Sequence, residues 1–213
     1  MTSVSSRAPT VTIEAQGTSG TYQTPEGCSY IVVDAVAGGG AGGGFSAGAS
    51  VRGCGGGGGA YAKLILAPGT YAFNVGGPAV GVSNDIAGTN GTSTTFSTTV
   101  LGGGKGGASG TVNTGGSGVF AYCGGAGGVV TTVGAAKYTV PGAPGTGISY
   151  GAGGTLPSGN GGGSFLQPGT LGVASGNGNG AQNFYGVGGS GCGTSLNSSG
   201  PGSGGIVIIT EYY

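Results

Sequence analysis

The stretch RGCGGGGGAYAKLILAPGTYAFNVGG (Arg52–Gly77) sets five consecutive glycines directly against two segments that alternate like strands. Five glycines in a row are the usual composition of a flexible tether. The residues that follow have the period-two pattern of a sheet with one buried face. Glycine is therefore either a linker here or the material of an ordered structure. The whole chain bears on that choice, because 60 of its 213 residues are Gly.

Disordered chains are polar and highly charged. This chain is 36% hydrophobic and only 5% charged, with positive mean hydropathy. That is the wrong composition for a solvated spacer, and the flexible-linker reading is the weaker one. Collagen does not fit either, since no strict every-third-residue glycine repeat exists and only nine prolines are present. What remains is glycine in the polyproline II conformation, with three residues per turn and no internal hydrogen bonds. Without side chains, neighbouring segments approach closely enough to exchange backbone hydrogen bonds. Such rods pack into a slab, which is stable when its ends are pinned, because ordering each glycine backbone is entropically unfavourable.

The pinning elements are legible as strands. TVTIEA (Thr10–Ala15) alternates, Ser29 to about Ala37 is an apolar strand, and AYAKLIL and YAFNV flank Pro68-Gly69 like a hairpin. TSTTFSTTVL (Thr92–Leu101) is a β-branched run, and GGIVIITEYY closes the chain with a final strand. No helical period is sustained. The expected fold is all-β with almost no α-helix: a β-sandwich-like clamp of N-terminal strands and the C-terminal strand, carrying a polyglycine II slab. The expected organisation is an N-terminal arm over 1–17, for docking or strand exchange, and one glycine-rich domain over 18–213. Within it, 18–101 is β-rich, 102–205 is the slab, and 206–213 is the closing strand.

Five Lys and Arg balance five Asp and Glu, so no phosphate-neutralising surface is expected and nucleic acid is not a partner. No apolar run approaches the roughly 20 residues that span a bilayer, and the N-terminus lacks the apolar core of a signal peptide. No metal site is expected, because the chain contains no His and its four cysteines form no C-x-x-C pair. Cys28, Cys54, Cys123 and Cys192 are read as small buried thiols or as one or two disulfides, for which three pairings exist. GGGKGG (Gly102–Gly107) formally matches G-x-G-x-x-G, yet it has no strand–helix context. The carboxylates are scattered singly. No cofactor and no catalytic residue are expected, and the chain reads as a non-enzyme.

Aromatic residues in the longer non-glycine segments are the candidate binding positions: Tyr138, Tyr150, Phe165 and Tyr185. Loops on rigid supports carry recognition, and Tyr brings contact area at low entropic cost. The competing reading is that these rings merely cover the slab. Asn90-Gly91-Thr92 and Asn197-Ser198-Ser199 match the glycosylation pattern, which is short enough to arise by chance.

Four segments, taken in order, resemble the glycine-rich domain of bacteriophage tail proteins and tail-fibre adhesins. They are GTYQTPEGCSYIVVDAVAGGGAGGG (Gly20–Gly44), GGGGGAYAKLILAPGTYAFNVGG (Gly55–Gly77), TSTTF (Thr92–Phe96) and GSGGIVIITEYY (Gly202–Tyr213). The resemblance implies polyglycine II rods whose connecting loops meet a host-surface receptor. It further implies a non-enzymatic viral structural or adhesion protein in a virion or extracellular fibre, with other virion proteins and copies of itself as partners. Two features depart from the pattern: the chain starts almost at the domain boundary, and it carries four cysteines. A self-assembling coat or fibre subunit is the alternative expectation. Ice binding is the least favoured, because Thr94, Thr95, Thr98 and Thr99 form no long regular array.

Overall fold

A computed structural model describes residues 7–45, 52–110, 120–121, 124–132, 134–149, 157–173, 176–181, 183–193 and 197–213. Among them are twelve strands and no helix. The first five are β1 (Thr10–Ala15), β2 (Ser19–Gln23), β3 (Tyr30–Val36), β4 (Tyr61–Leu66) and β5 (Thr70–Asn74). Next come β6 (Thr94–Phe96), β7 (Thr99–Leu101), β8 (Phe120–Ala121) and β9 (Val130–Thr132). The last are β10 (Ala136–Val140), β11 (Ile148–Ser149) and β12 (Ile206–Tyr212). Two antiparallel five-stranded sheets, ordered β1-β12-β3-β4-β10 and β2-β5-β6-β7-β9, form the expected sandwich, and β8 and β11 pair separately.

Alternation dictates which residues fill the sandwich. Ile31, Val33, Ala35, Ala62, Leu64, Val207 and Ile209 from the first sheet meet Val75, Phe96 and Leu101 from the second, all buried. One carboxylate lies among these elements. Glu211 is 4% exposed and accepts hydrogen bonds from Tyr22 and Tyr213, both at 2.7 Å. Tyr22 belongs to the second sheet and Glu211 to the first, so this bond ties the sheets together.

Two local expectations change. β4 and β5 do not form a hairpin. β4 pairs with β3 and β10, while β5 pairs with β2 and β6, so Pro68-Gly69 carries the chain from one sheet to the other. Both ladder edges of β4 are occupied by other strands, which leaves none for β5. The run Thr92–Leu101 is not one strand but the hairpin β6–β7, whose loop opens at Ser97 with φ 54°. Within the expected N-terminal arm, Thr10–Ala15 pairs with β12 of its own chain.

The five glycines are structural. Residues 53–60 run straight into β4, and β3 runs straight into residues 37–44. In the latter, Ala37, Gly40 and Gly43 donate to the carbonyls of Ala60, Gly57 and Cys54. Gly38, Ala41 and Gly44 donate to Thr92, Thr89 and Ile86, and Gly39 and Gly42 to Ser203 and Gly200. Every third N–H thus points to the same neighbour, which is the three-residue turn of polyproline II. Residues 53–60 repeat the pattern and touch six neighbouring rods: 37–44, 102–110, 124–128, 141–146, 158–163 and 186–193. None of Gly55–Gly59 has a positive φ, so glycine is needed there for space rather than for torsion. A Cβ at any of the five would lie 1.8–2.2 Å from a carbonyl oxygen of another rod.

The fully buried rods 37–44 and 53–60 therefore come from the part expected to be β-rich, and the 102–205 segment contributes the equally buried rod 186–193 and further rods together with β8 to β11. Because rods continue strands without a turn, the sandwich supplies the pinning.

Candidate functional site

The first sheet has an inner face in the sandwich and an outer face that is partly covered and partly open to solvent. Cross-strand register places Ile13, Ile208, Asp34, Lys63 and Tyr138 in one row of that outer face. Ala15, Ile206, Val36, Tyr61 and Val140 form the adjacent row. Directly opposed residues on one face lie about 5 Å apart, so each row is a line of contacting side chains.

At the β4–β10 end of these rows an aromatic corner forms. Tyr61 is buried, and its ring stacks on Phe165 with centroids 4.2 Å apart. Tyr138 meets both rings edge-on, at 6.2 Å from Tyr61 and 6.1 Å from Phe165. Tyr138 and Phe165 each keep about half of their surface exposed, at 53% and 50%. The slab positions Phe165, which sits in a reversal between two rods. Ser158 and Gly161 donate to Val173 and Thr170 across that rod pair, and Thr170 Oγ1 donates to Gly188 O at 2.8 Å. Ser164 Oγ donates to Tyr185 O at 2.7 Å, fixing the reversal itself.

A polar pair borders the rings. Tyr61 donates its hydroxyl to Asp34 Oδ1 at 2.5 Å, and Lys63 Nζ lies 3.3 Å from the same oxygen. Burial first, then the hydrogen bond to Asp34 and that carboxylate's charge, push the Tyr61 hydroxyl far above the ordinary tyrosine range. Tyr61 therefore remains a neutral donor throughout the physiological range. Asp34 and Lys63 are partly exposed and lie beside the rings, so the corner combines aromatic faces with one acceptor and one donor.

Of the sequence-derived candidates, Tyr138 and Phe165 meet in this corner. Tyr185 packs behind it against Val36, Tyr61 and Ile206. Tyr150 lies outside the described residues. Sequence reasoning missed Tyr61, Asp34 and Lys63. Their signal was present in the alternation of YIVVDAV and YAKLIL, which puts Asp34, Tyr61 and Lys63 on the face opposite the core residues. It also missed a groove of about 460 Å³ on the other side of Tyr185, walled by Ala15, Pro78, Val80, Ala181 and Phe184.

The cysteines divide into two kinds. Cys54, in the central rod, is disulfide-bonded. Cys28 and Cys192 are buried thiols, and Cys28 donates to Tyr30 O at 3.3 Å. Cys123 lies outside the described residues. Among the described residues, no three His, Cys, Asp or Glu side chains are grouped to hold a metal ion.

Comparison with curated proteins gives no match. The sequence profile described as the glycine-rich domain matches residues 13–212. That span takes in every rod described above and every strand but the first half of β1, and the chain belongs to the glycine-rich domain family.

Proposed function

We propose that this chain is a non-enzymatic attachment module of a viral particle, in which a side-chain-free slab holds exposed aromatic residues against a cell surface. Its place is the virion or an extracellular fibre, in keeping with the resemblance to tail-fibre adhesins, and its partner is a cell-surface receptor. The observation that carries this reading is the corner of Tyr138 and Phe165 on Tyr61. Two half-exposed rings, Tyr138 on edge strand β10 and Phe165 on the reversal between two rods, pack on buried Tyr61. Rigid aromatic groups on a rigid support are efficient contact residues, because little entropy is lost when they bind.

The test is adhesion of the purified protein to candidate host cells, compared with a Tyr138→Ala/Phe165→Ala variant. Attachment falls in the double variant if the corner makes contact. Equal attachment by both proteins removes the corner from the reading.

A second reading, a self-assembling coat or fibre subunit, is favoured by one observation. Val11, Ile13, Tyr30 and Ile65 are all exposed on the outer face of the first sheet. Contiguous exposed apolar surface of this kind marks interaction sites. Light scattering at rising concentration tests it, and a strict monomer refutes it.

A further inference from the structure

We propose that two copies of this chain join edge to edge through β1, antiparallel and with Thr12 opposite Thr12, so that their first sheets run on as one. This rests on the self-assembly reading and deepens it by naming the surface and the partner, a second copy.

The ladder decides which groups of β1 are open. Ala37 N donates to Ala60 O, one step past the Val36–Tyr61 pair of β3 and β4. Successive residues of an antiparallel strand turn their N–H and C=O alternately to its two sides. Counting back from Ala37, Ile31, Val33 and Ala35 therefore address β4, and Val32, Asp34 and Val36 address β12. Carried across the register of β12, the same alternation turns Thr10, Thr12 and Glu14 toward β12. Val11, Ile13 and Ala15 turn their backbone groups outward, where β1 is the last strand of its sheet. Ala15 O is engaged there by the N–H and the hydroxyl of Thr18.

The other sheet edges carry features that discourage pairing. β10, at the far side of the same sheet, has a register shift between Ala136 and Tyr138 with Lys137 inside it. β9 has only three residues and a register shift against β7. β2 lines its edge with the exposed residues Ser19, Gly20, Thr21 and Gln23. β1 has none of these features. It runs six residues in unbroken register, with Val11 56% and Ile13 60% exposed.

A second copy of β1 completes this edge without a mismatch. With Thr12 opposite Thr12, Val11 and Ile13 exchange their backbone bonds with Ile13 and Val11 of the second copy. Ala15 then lies opposite Pro9. Ala15 N donates to Pro9 O, and the N–H that Pro9 lacks is not missed, because Thr18 already holds Ala15 O. Sliding the strands by one pleat sets Ile13 against Pro9, which leaves a carbonyl without a donor, or sets Val11 against Ala15, where its N–H competes with Thr18. The side chains agree with the centred register. Val11 and Ile13 form apolar cross-strand pairs on the outer face, Thr12 pairs with Thr12 on the inner face, and Glu14 lies opposite uncharged Thr10. One strand pair buries less than the roughly 1,200 Å² of a standard interface, so the dimer is weak and reversible.

The test has two arms. In the first, sedimentation velocity over a concentration series compares the wild-type protein with Ile13→Pro. Proline at this position removes an N–H that points to the open edge and no bond to β12, so the monomer keeps its fold, which thermal melting in dilute solution verifies. Expected is a monomer–dimer equilibrium that weakens about tenfold or more in the variant. The second arm reads the register. Directly opposed side chains lie about 5 Å apart, whereas diagonal ones are about 7–8 Å apart. Mild oxidation should therefore link Thr12→Cys to its copy, while Val11→Cys, whose copies sit diagonally, stays unlinked. Mass spectrometry of the peptide containing the substitution separates this link from any made by Cys28 or Cys192. A strict monomer at every concentration overturns the seam and the self-assembly reading together. Association that Ile13→Pro leaves unchanged, or that gives no link in Thr12→Cys, overturns the seam and leaves self-assembly standing. A link that forms in Val11→Cys in preference to Thr12→Cys overturns the register.

Discussion

Gly57→Ala places a methyl group at the centre of the slab. Its Cβ would sit 2.1 Å from Ala126 O, 2.6 Å from the carbon of that carbonyl and 2.8 Å from Gly125 O. Ordinary contact begins at 3.4 Å, so the 124–128 rod must retreat by about 1.3 Å. All the opposing atoms are backbone, so no side-chain rotation relieves the clash. The rod that has to move is held by Gly125 N to Gly55 O at 2.9 Å, Gly128 N to Gly58 O at 2.8 Å, and Lys105 N to Ala126 O at 2.8 Å. A shift of that size stretches such bonds beyond useful range. Three buried bonds lost or badly strained amount to about 3–6 kcal/mol, a large share of the roughly 5–15 kcal/mol that holds a domain folded. For a chain of this size the midpoint should fall by roughly 10–20 °C.

The matched control is Gly77→Ala. Its φ is not positive, and the nearest atom to its Cβ is Thr92 Oγ1 at 3.8 Å, so the methyl group meets open space. That variant should be neutral or more stable by up to about 1 kcal/mol, through the less flexible unfolded chain. Calorimetry on both proteins, with hydrogen exchange of the slab amides, decides the matter. If Gly57→Ala melts within 2 °C or so of Gly77→Ala, close rod packing does not hold this molecule together.

Four further outcomes follow from particular residues. Tyr22→Phe deprives buried Glu211 of one of its two tyrosine donors and should destabilise the protein by about 1.5–3 kcal/mol, measured by urea unfolding. Tyr22 and Tyr61 have hydroxyls raised in the folded state by burial first and by Glu211 and Asp34 second. Their contribution to stability is therefore complete below the ordinary tyrosine value near 10 and is lost as pH rises above it. Tyrosinate absorbance should show these two ionising only with unfolding, and early, reversible ionisation of all ten tyrosines would contradict the packing. Alkylation in denaturant without reductant should label Cys28 and Cys192 but leave Cys54 unmodified until reductant is added, as read by mass spectrometry. Finally, Val11→Lys/Ile13→Lys should change stability by less than about 0.5 kcal/mol, because both side chains are more than half exposed. The same variant should abolish any concentration-dependent association seen in light scattering, and association that persists would place the contact elsewhere.

Much of the local structure was legible from composition and alternation. Thr10–Ala15, Tyr61–Leu66, Thr70–Asn74 and Ile206–Tyr212 are strands where their β-branched and apolar residues indicate them. The candidate site was partly legible: Tyr138 and Phe165 stood out as rings in long non-glycine segments. Their meeting over Tyr61 did not, because Phe165 reaches β4 only through the fold of two rods.

The sequence by itself determined that glycine here builds structure, since so little charge leaves nothing to keep the chain solvated, and it determined which face of each strand is apolar. Partners were decided only by the tertiary structure. A two-residue period says which way a side chain points and nothing about which strand lies alongside. Hence Pro68-Gly69 looked like a hairpin turn, yet β3 and β10 had already occupied both edges of β4. Glycine rods carry even less information, because a backbone without side chains offers the same donors and acceptors to every neighbour. Which six rods surround residues 53–60 is set by the strands that hold the rod ends in place.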